Sequence, residues 1–596
     1  MLPAHGGAPV CGLSSCGPPL DKMPGVCSHW TVDPRLQTAV ARYAGGERTA
    51  RTGDEISVFA WVRDFDAWKA HDGVRVRASV PYEGGALLTA RLPLELVGEA
   101  YGWPEVRSLK ASRPLSRMLY RTVRELEAAR LPEGVHADGG RGVVVGIVDT
   151  GGDFAHWNFR DEQGHTRLLG LWDQRQDRRF TSAEIDAALT AEDPYIALGY
   201  EPGFDRTDEE GMHGTHVMDI AAGNGRGSGV PGVAPHADLV FVHVAYSDIE
   251  FEGRGVVGQN LGDSTQLIEA IDYVFKTAGE RPCVVNVSLG ANGGPHDGCS
   301  PFELYLDALL GAAPNRAAVL AASNTYDQHV HATGTVAPGD CADVVVRAPL
   351  RRAEFELELW YAGQDRFSAE ILVDGRSVGR VDPGGDKLVA DVDGTTLLYA
   401  AHRLDDPFNH ANTLGLFVGA GALGREWTVR LHGEKVAGDG RFHAWLERND
   451  AAQAVFAAPH DDRYTVASIA CGRRALVVGA YNAHAEGEPP SVYSAAGPTR
   501  DGRSKPDVSA PGDGIVAARS RTGTGVTAKS GTSMAAPAVT GLVAVLLAEA
   551  RARGVSLTAE ELHEYVVGSA QPPGSAWDAR RGFGRANLRA ALEQLA

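Results

Sequence analysis

The stretch KSGTSMAAPAVTGLVAVLL, residues 529–547, joins a Gly/Ser/Thr turn to an apolar run rich in small residues. That pattern predicts a helix that carries the Ser533 hydroxyl at its start and is buried on most sides. Small side chains let neighbouring elements pack close, and Pro537 stands near enough to the helix start that its missing N–H costs little. A serine there meets unpaired backbone N–H groups and the positive end of the helix dipole, a setting suited to developing negative charge. The plain structural reading is a capping serine on a core helix. Chemistry at Ser533 requires a base and an orienting carboxylate from elsewhere in the chain.

Candidates for both precede it. GVVVGIVDTGGD (142–153) is rich in β-branched residues without alternation, so it reads as a strand buried on both faces in a parallel sheet. It ends in Asp149 and a glycine pair, and α/β proteins place their sites at the carboxyl ends of such strands. A turn aspartate that merely closes the strand is the competing reading. GMHGTHVMDIAAG (211–223) sets His213 at a helix start and His216 one turn inside. ADLVFVHV (237–244), CVVNVSLG (283–290), RAAVLAASN (316–324) and ALVVGAY (475–481) repeat the buried parallel pattern, with the helix STQLIEAIDYVF (264–275) between the first two. Alternating β and α predicts a doubly wound sheet, hence an α/β fold.

Two regions break that pattern. Upstream, ISVFAWV, VRVRASV, ALLTARL and VRSLKAS are strand candidates separated by short helical pieces, a β-α-β-β-α-β order that predicts a small ferredoxin-like domain. Residues 114–131, PLSRMLYRTVRELEAARL, read as a helical linker. Downstream, AEFELELWY alternates strictly, with Phe355, Leu357 and Leu359 on one face and Glu354, Glu356 and Glu358 on the other. Asp374-Gly375 and Asp393-Gly394 are hairpin turns, and WTVRLHG and GRFHAWLE continue the strands, so an antiparallel β-sandwich is inserted into the α/β domain. The resulting division is a flexible leader (1–45), a ferredoxin-like domain (46–113), a linker and processing region (114–140), an α/β domain in two parts (141–340 and 456–596) and the inserted sandwich (341–455). Capping boxes at Thr181/Glu184 and Thr558/Glu561 mark two further helices.

Composition narrows the function. Against 57 Lys and Arg stand 76 Asp and Glu, a formal net charge of −19, which argues against nucleic acid as a partner. Seven cysteines scattered over 596 residues are not a disulfide framework. The start lacks the pattern of a signal peptide and no run reaches the length of a membrane span, so a soluble cytoplasmic protein without a membrane partner is expected. Cys11, Cys16, Cys27 and His29 match no zinc spacing. His329 and His331, two apart, read as alternate positions without a metal, and the acidic loop 201–210 as a solvated one. No metal ligands are assigned, no cofactor is expected, and calcium is assigned to no residues.

The motifs VVVGIVDTGGD, HGTHV and SGTSMAAP, in the chain order Asp149…His213…Ser533, resemble the three signatures of the subtilase family of serine peptidases. VNVSLG, APG before the serine and the final GFGRANL are similar to that family too, over roughly residues 110–340 and 455–596. LLGLWDQ, GPHDG (294–298) and GRFHAW resemble the subgroup of clostridial germination (Csp-type) proteases, which implies that the insert is a jelly roll acting as a brace. The resemblance implies a serine endopeptidase acting on protein or peptide substrates through an acyl-enzyme, with Ser533 as nucleophile, His213 as base and Asp149 as its orienting partner. It assigns Asn324 to the oxyanion, and Ser288, Leu289 and Gly290 with Ala321, Ala322 and Ser323 to the two walls of the substrate pocket. It also implies that the N-terminal domain is a propeptide that aids folding and blocks the cleft.

Two departures stand out. Ser323 replaces the glycine of the family's Ala-Ala-Gly-Asn, and Met218-Asp219 stand where Ala-Gly is usual. The alternative function is a catalytically silent or self-inhibited regulatory binding protein on the same scaffold.

Overall fold

The computed structural model describes residues 33–44, 55–112, 116–117, 126, 138–203, 212–245, 264–350, 354–390, 396–419, 424–449, 452–572, 574 and 576–595. At its centre is an eight-stranded sheet in the order Val508–Pro511, Leu476–Tyr481, Arg316–Ala321, Cys283–Val287, Val144–Asp149, Asp238–His243, Leu168–Asp173 and Arg178–Thr181. All neighbours run parallel except the last pair. The inner strands are largely apolar because helices cover both faces. One face carries the helices His213–Ala222 and Thr532–Ala552, and the other Ser264–Ala278 and Pro301–Gly311.

The helix Thr532–Ala552 is long and apolar enough to cross a membrane by length and composition, contrary to the reading of the sequence, but its apolar window lies wholly inside the protein. It is the core helix of the sheet. Gly541 permits its close approach to the His213 helix, since a Cβ there would fall 2.7 Å from the Ala221 carbonyl oxygen and 2.5 Å from Val233 Cβ.

Upstream, the strands Glu55–Val62, Arg75–Tyr82, Gly85–Pro93 and Val106–Ala111 form an antiparallel sheet in the order second, third, first, fourth, with short helices between strands. Phe59, Trp61, Val80 and Leu87 pack against the helices Ser264–Ala278 and Pro301–Gly311. Glu269, buried on the first of these helices, accepts from Thr89 Oγ1 and Arg91 Nη1, both at 3.1 Å.

The stretch read as a leader contains a helix, Pro34–Ala44. Leu36 and Ala39 enter the apolar cluster on the outer face of that small sheet. Arg35 sits among Glu356 (2.6 Å), Glu447 (3.1 Å) and Glu358 (3.9 Å). Segment 1–32 lies outside the described residues, as do Cys11, Cys16, Cys27, most of the linker 114–131 and loop residues 204–210. Within the linker, Ser116–Arg117 is extended and pairs antiparallel with Leu289–Gly290, where the sequence predicted helix.

The inserted region forms two antiparallel sheets, one of six strands and one of five, with Leu357, Leu359, Ile371, Val429, Leu431 and Phe442 in a common core. Its pairing begins at His331–Thr335, ahead of position 341, and HATGT is not legible as a strand because it lacks the alternation that marks a half-buried one. The hairpin at Asp374-Gly375 has φ values of 47° and 76°, the left-handed geometry its residue types suit. Asp393-Gly394 lies outside the described residues. The capping boxes at Thr181/Glu184 and Thr558/Glu561 are both present.

Candidate active site

Asp149 closes its strand at the carboxyl edge of the central sheet and is fully buried. Its carboxylate accepts from the Thr150 N–H at 2.7 Å and faces His213 Nδ1 with both oxygens, at 2.7 and 2.8 Å. A carboxylate on Nδ1 holds the proton there and leaves Nε2 as the basic nitrogen. His213 opens its helix behind Met212, which makes no side-chain cap. Gly214 follows because a Cβ there would stand 2.7 Å from both the Thr150 carbonyl oxygen and Phe241 Cζ.

His216 is structural. It is fully buried, its Nε2 donates to the carbonyls of Ile515 (3.1 Å) and Thr527 (3.3 Å), and burial with nearby Lys529 pushes its imidazole well below the ordinary range.

Ser533 lies at the second residue of its helix, after an N-cap glycine that offers no side-chain bond. Ser533 is therefore not the capping residue. The Ser533 hydroxyl instead donates to the Ser288 carbonyl at 3.3 Å, and Ser288 Oγ donates to the Ser533 carbonyl at 3.2 Å. Asn286 Nδ2 donates to Ser288 Oγ (2.9 Å), and Thr540 Oγ1 donates to Asn286 Oδ1 (2.9 Å). This chain of bonds locks the end of VNVSLG onto the serine helix. Asn286 and Thr540 were missed by sequence reasoning, and the signal available was Asn286 as the lone polar residue within a doubly buried strand.

Asn324 follows the strand Arg316–Ala321, and its Oδ1 accepts from the N–H and the hydroxyl of Thr532, the residue before Ser533. With the carbonyl end so held, the amide geometry aims the NH2 away from Thr532. Ser288, Leu289, Gly290, Ala321, Ala322 and Ser323 are all buried, and Leu289 and Gly290 form the edge against which Ser116–Arg117 lies.

The subtilase family pattern matches residues 140–348 and 421–584, more than half of the chain. The chain belongs to the subtilase family. The two matched blocks flank residues 349–420, whose described strands belong to the inserted sheets of this subtilase. An intracellular serine protease of Paenibacillus polymyxa is 26% identical over 265 residues, 44% of this chain and 63% of that protein. Fervidolysin of Fervidobacterium pennivorans is 27% identical over 170 residues, 27% of this chain and 22% of that one. The chain thus spans less than two thirds of the length of these curated relatives. The solved CspB protease of Clostridium perfringens shares the fold, with a TM-score of 0.66 at 24% identity, over 79% of this chain and 96% of that one.

Both departures of this subtilase from its family have structural consequences. Ser323 has φ 115°, a left-handed conformation that favours glycine, and its hydroxyl meets Thr325 Oγ1 at 3.1 Å. Asp219 is fully buried behind the histidine, where it accepts from Asn158 Nδ2 (2.6 Å) and the Ala518 N–H (2.7 Å). Burial raises its pKa to about 6. It ties the loop after Asp149 to the strand whose Ile515 carbonyl holds His216.

Proposed function

We propose that this subtilase is a serine endopeptidase. The observation that carries the reading is the fully buried pairing of Asp149 with His213 Nδ1, at 2.7 and 2.8 Å, on a helix packed against that of Ser533. On substrate binding the Ser533 hydroxyl exchanges the Ser288 carbonyl for His213 Nε2, which takes its proton as Oγ attacks the scissile carbonyl carbon. Asp149 stabilises the imidazolium, and the Asn324 NH2 and Ser533 N–H take the oxyanion. Collapse breaks the C–N bond, with the His213 proton passing to the leaving amine, and leaves an acyl ester on Ser533. Water, deprotonated by His213, then hydrolyses that ester.

Substrate lies extended along Leu289–Gly290, because a straightened backbone held by main-chain hydrogen bonds exposes the bond to be cut. Support comes from the chain itself, whose Ser116–Arg117 pairs there as a strand. On this reading the ferredoxin-like domain (46–113) is a propeptide-type chaperone that lays the linker 114–140 across the cleft, and the jelly-roll insert is a brace. Residues 141–340 and 456–596 form the catalytic domain. The setting is cytoplasmic, in keeping with the intracellular Paenibacillus relative.

A silent regulatory scaffold is the lesser reading, since it gives no reason for the buried Asp149–His213 pair. A fluorophosphonate probe separates the two. Labelling and peptide cleavage are expected in the full chain and lost in Ser533→Ala, whereas labelling that survives the substitution would remove Ser533 from the chemistry.

A further inference from the structure

His329 and His331 meet different neighbours. His331 is buried, with Nε2 3.0 Å from His443 Nδ1 and Nδ1 3.0 Å from the Asp461 carbonyl oxygen. His329 turns towards the segment returning from the inserted sheets. There its Nδ1 lies 3.3 Å from Asp462 Oδ1, and its ring centroid lies 4.2 Å from that of His460. One ligand atom from each of His329, His460 and Asp462 can be chosen so that all three fall within 4.8 Å of one another.

His329 and Asp462 lie within ion-pair range without a hydrogen bond between them. His329 Nδ1 and Asp462 Oδ1 are closed to solvent, and neither makes a hydrogen bond. Their 3.3 Å separation exceeds the roughly 2.7–2.9 Å of a charge-assisted N–H···O bond. It equals instead the edge of a tetrahedron whose corners lie about 2.0–2.1 Å from a central ion, the distance zinc keeps from nitrogen and oxygen ligands.

We propose that His329, His460 and Asp462 bind a zinc-type divalent cation, with water at the fourth corner. Two imidazoles and one carboxylate suit a borderline ion, whereas calcium and magnesium call for oxygen-rich shells. The ligands come from the two segments that connect the α/β domain to the inserted sheets. Phe456 N–H donates to the His329 carbonyl (2.9 Å), Asp461 N–H to the His331 carbonyl (3.0 Å) and Thr325 Oγ1 to the Thr465 carbonyl (3.2 Å). The ion would staple this neck a few residues from Asn324, and its binding would add to folding stability.

The test uses the full chain carrying Ser533→Ala, so that self-cleavage cannot intrude and the outcome is independent of the peptidase reading. Chelator-stripped protein is titrated with Co2+ and Zn2+, beside the same protein carrying His460→Ala or Asp462→Asn. Because the N-terminal cysteines could take up metal in every sample, the readout is the difference. The expected result is one equivalent more metal in the parent than in either variant, intense tetrahedral Co2+ absorption, and a Zn2+-dependent rise in Tm in the parent alone. Equal stoichiometry in parent and variants, or the same extra equivalent taken up as Ca2+, would overturn the proposal. Should His460→Ala fail to fold, the near-isosteric Asp462→Asn carries the comparison.

Discussion

Asn324 Oδ1 accepts two hydrogen bonds from Thr532, one from its N–H and one from its hydroxyl, each 3.0 Å long. The residue preceding Ser533 thus sets the direction of the amide that is proposed to receive the oxyanion. Thr532→Val keeps the shape and removes the hydroxyl, so kcat should fall up to about tenfold, the worth of one neutral hydrogen bond. Asn324→Ala should cost about 10²–10³ in kcat. Steady-state kinetics on a chromogenic peptide checks both. A change confined to KM would assign Asn324 to substrate binding instead.

The pairing of Ser116–Arg117 with Leu289–Gly290 predicts that the chain hinders its own cleft. Proline at both 116 and 117 removes two N–H donors and fixes φ. Losing even one backbone bond, at about 1 kcal/mol, should speed labelling of Ser533 by a fluorophosphonate at least about fivefold. Unaltered labelling kinetics would show that the segment does not limit access.

Arg35 neutralises a surface where Glu356, Glu358 and Glu447 converge. Removing one partner of a buried ionic cluster costs about 3–5 kcal/mol, and Arg35 is the guanidinium that all three carboxylates share. Arg35→Met should therefore lower the denaturation midpoint and release amide exchange across Pro34–Ala44, while Arg35→Lys restores part of the loss. A loss below about 1 kcal/mol would mean that water solvates this cluster.

Glu303 is buried at the start of its helix, and desolvation, with Asp297 adding to it, raises its pKa to about 8 from the usual 4.5. Folding then favours the protonated form. Its contribution is complete below the unfolded pKa and is lost as pH rises through about 8. Between those limits stability should fall with pH by at most about 1.4 kcal/mol per unit from this group. Urea denaturation from pH 5 to 8 should show that slope in the wild-type chain and a shallower one in Glu303→Gln. Parallel slopes would show that Glu303 is ionised when folded.

The glutamates of AEFELELWY show where reading the sequence stops. Alternation placed Phe355, Leu357 and Leu359 in the core of the sandwich, as found, because a strand's side-chain period is local. Nothing local says that Glu356 and Glu358 meet a helix more than three hundred residues upstream rather than water. GPHDG and GRFHAW behave alike. Their partnership appears only in space, where the His296 ring stacks on Trp445 at 4.0 Å.

The amino-acid sequence by itself determined the parallel sheet, the inserted antiparallel strands and the identities of Asp149, His213, Asn324 and Ser533 as candidates, since strand burial, helix starts and signature motifs depend on neighbours along the chain. Only the tertiary structure decided that Thr532 holds Asn324, that Ser533 is bonded to Ser288 rather than capping its helix, and that His329 parts from His331 to join His460 and Asp462. Those contacts join residues more than a hundred positions apart. They form because the parallel sheet brings its strand ends to one edge and the insert returns beside its own point of departure.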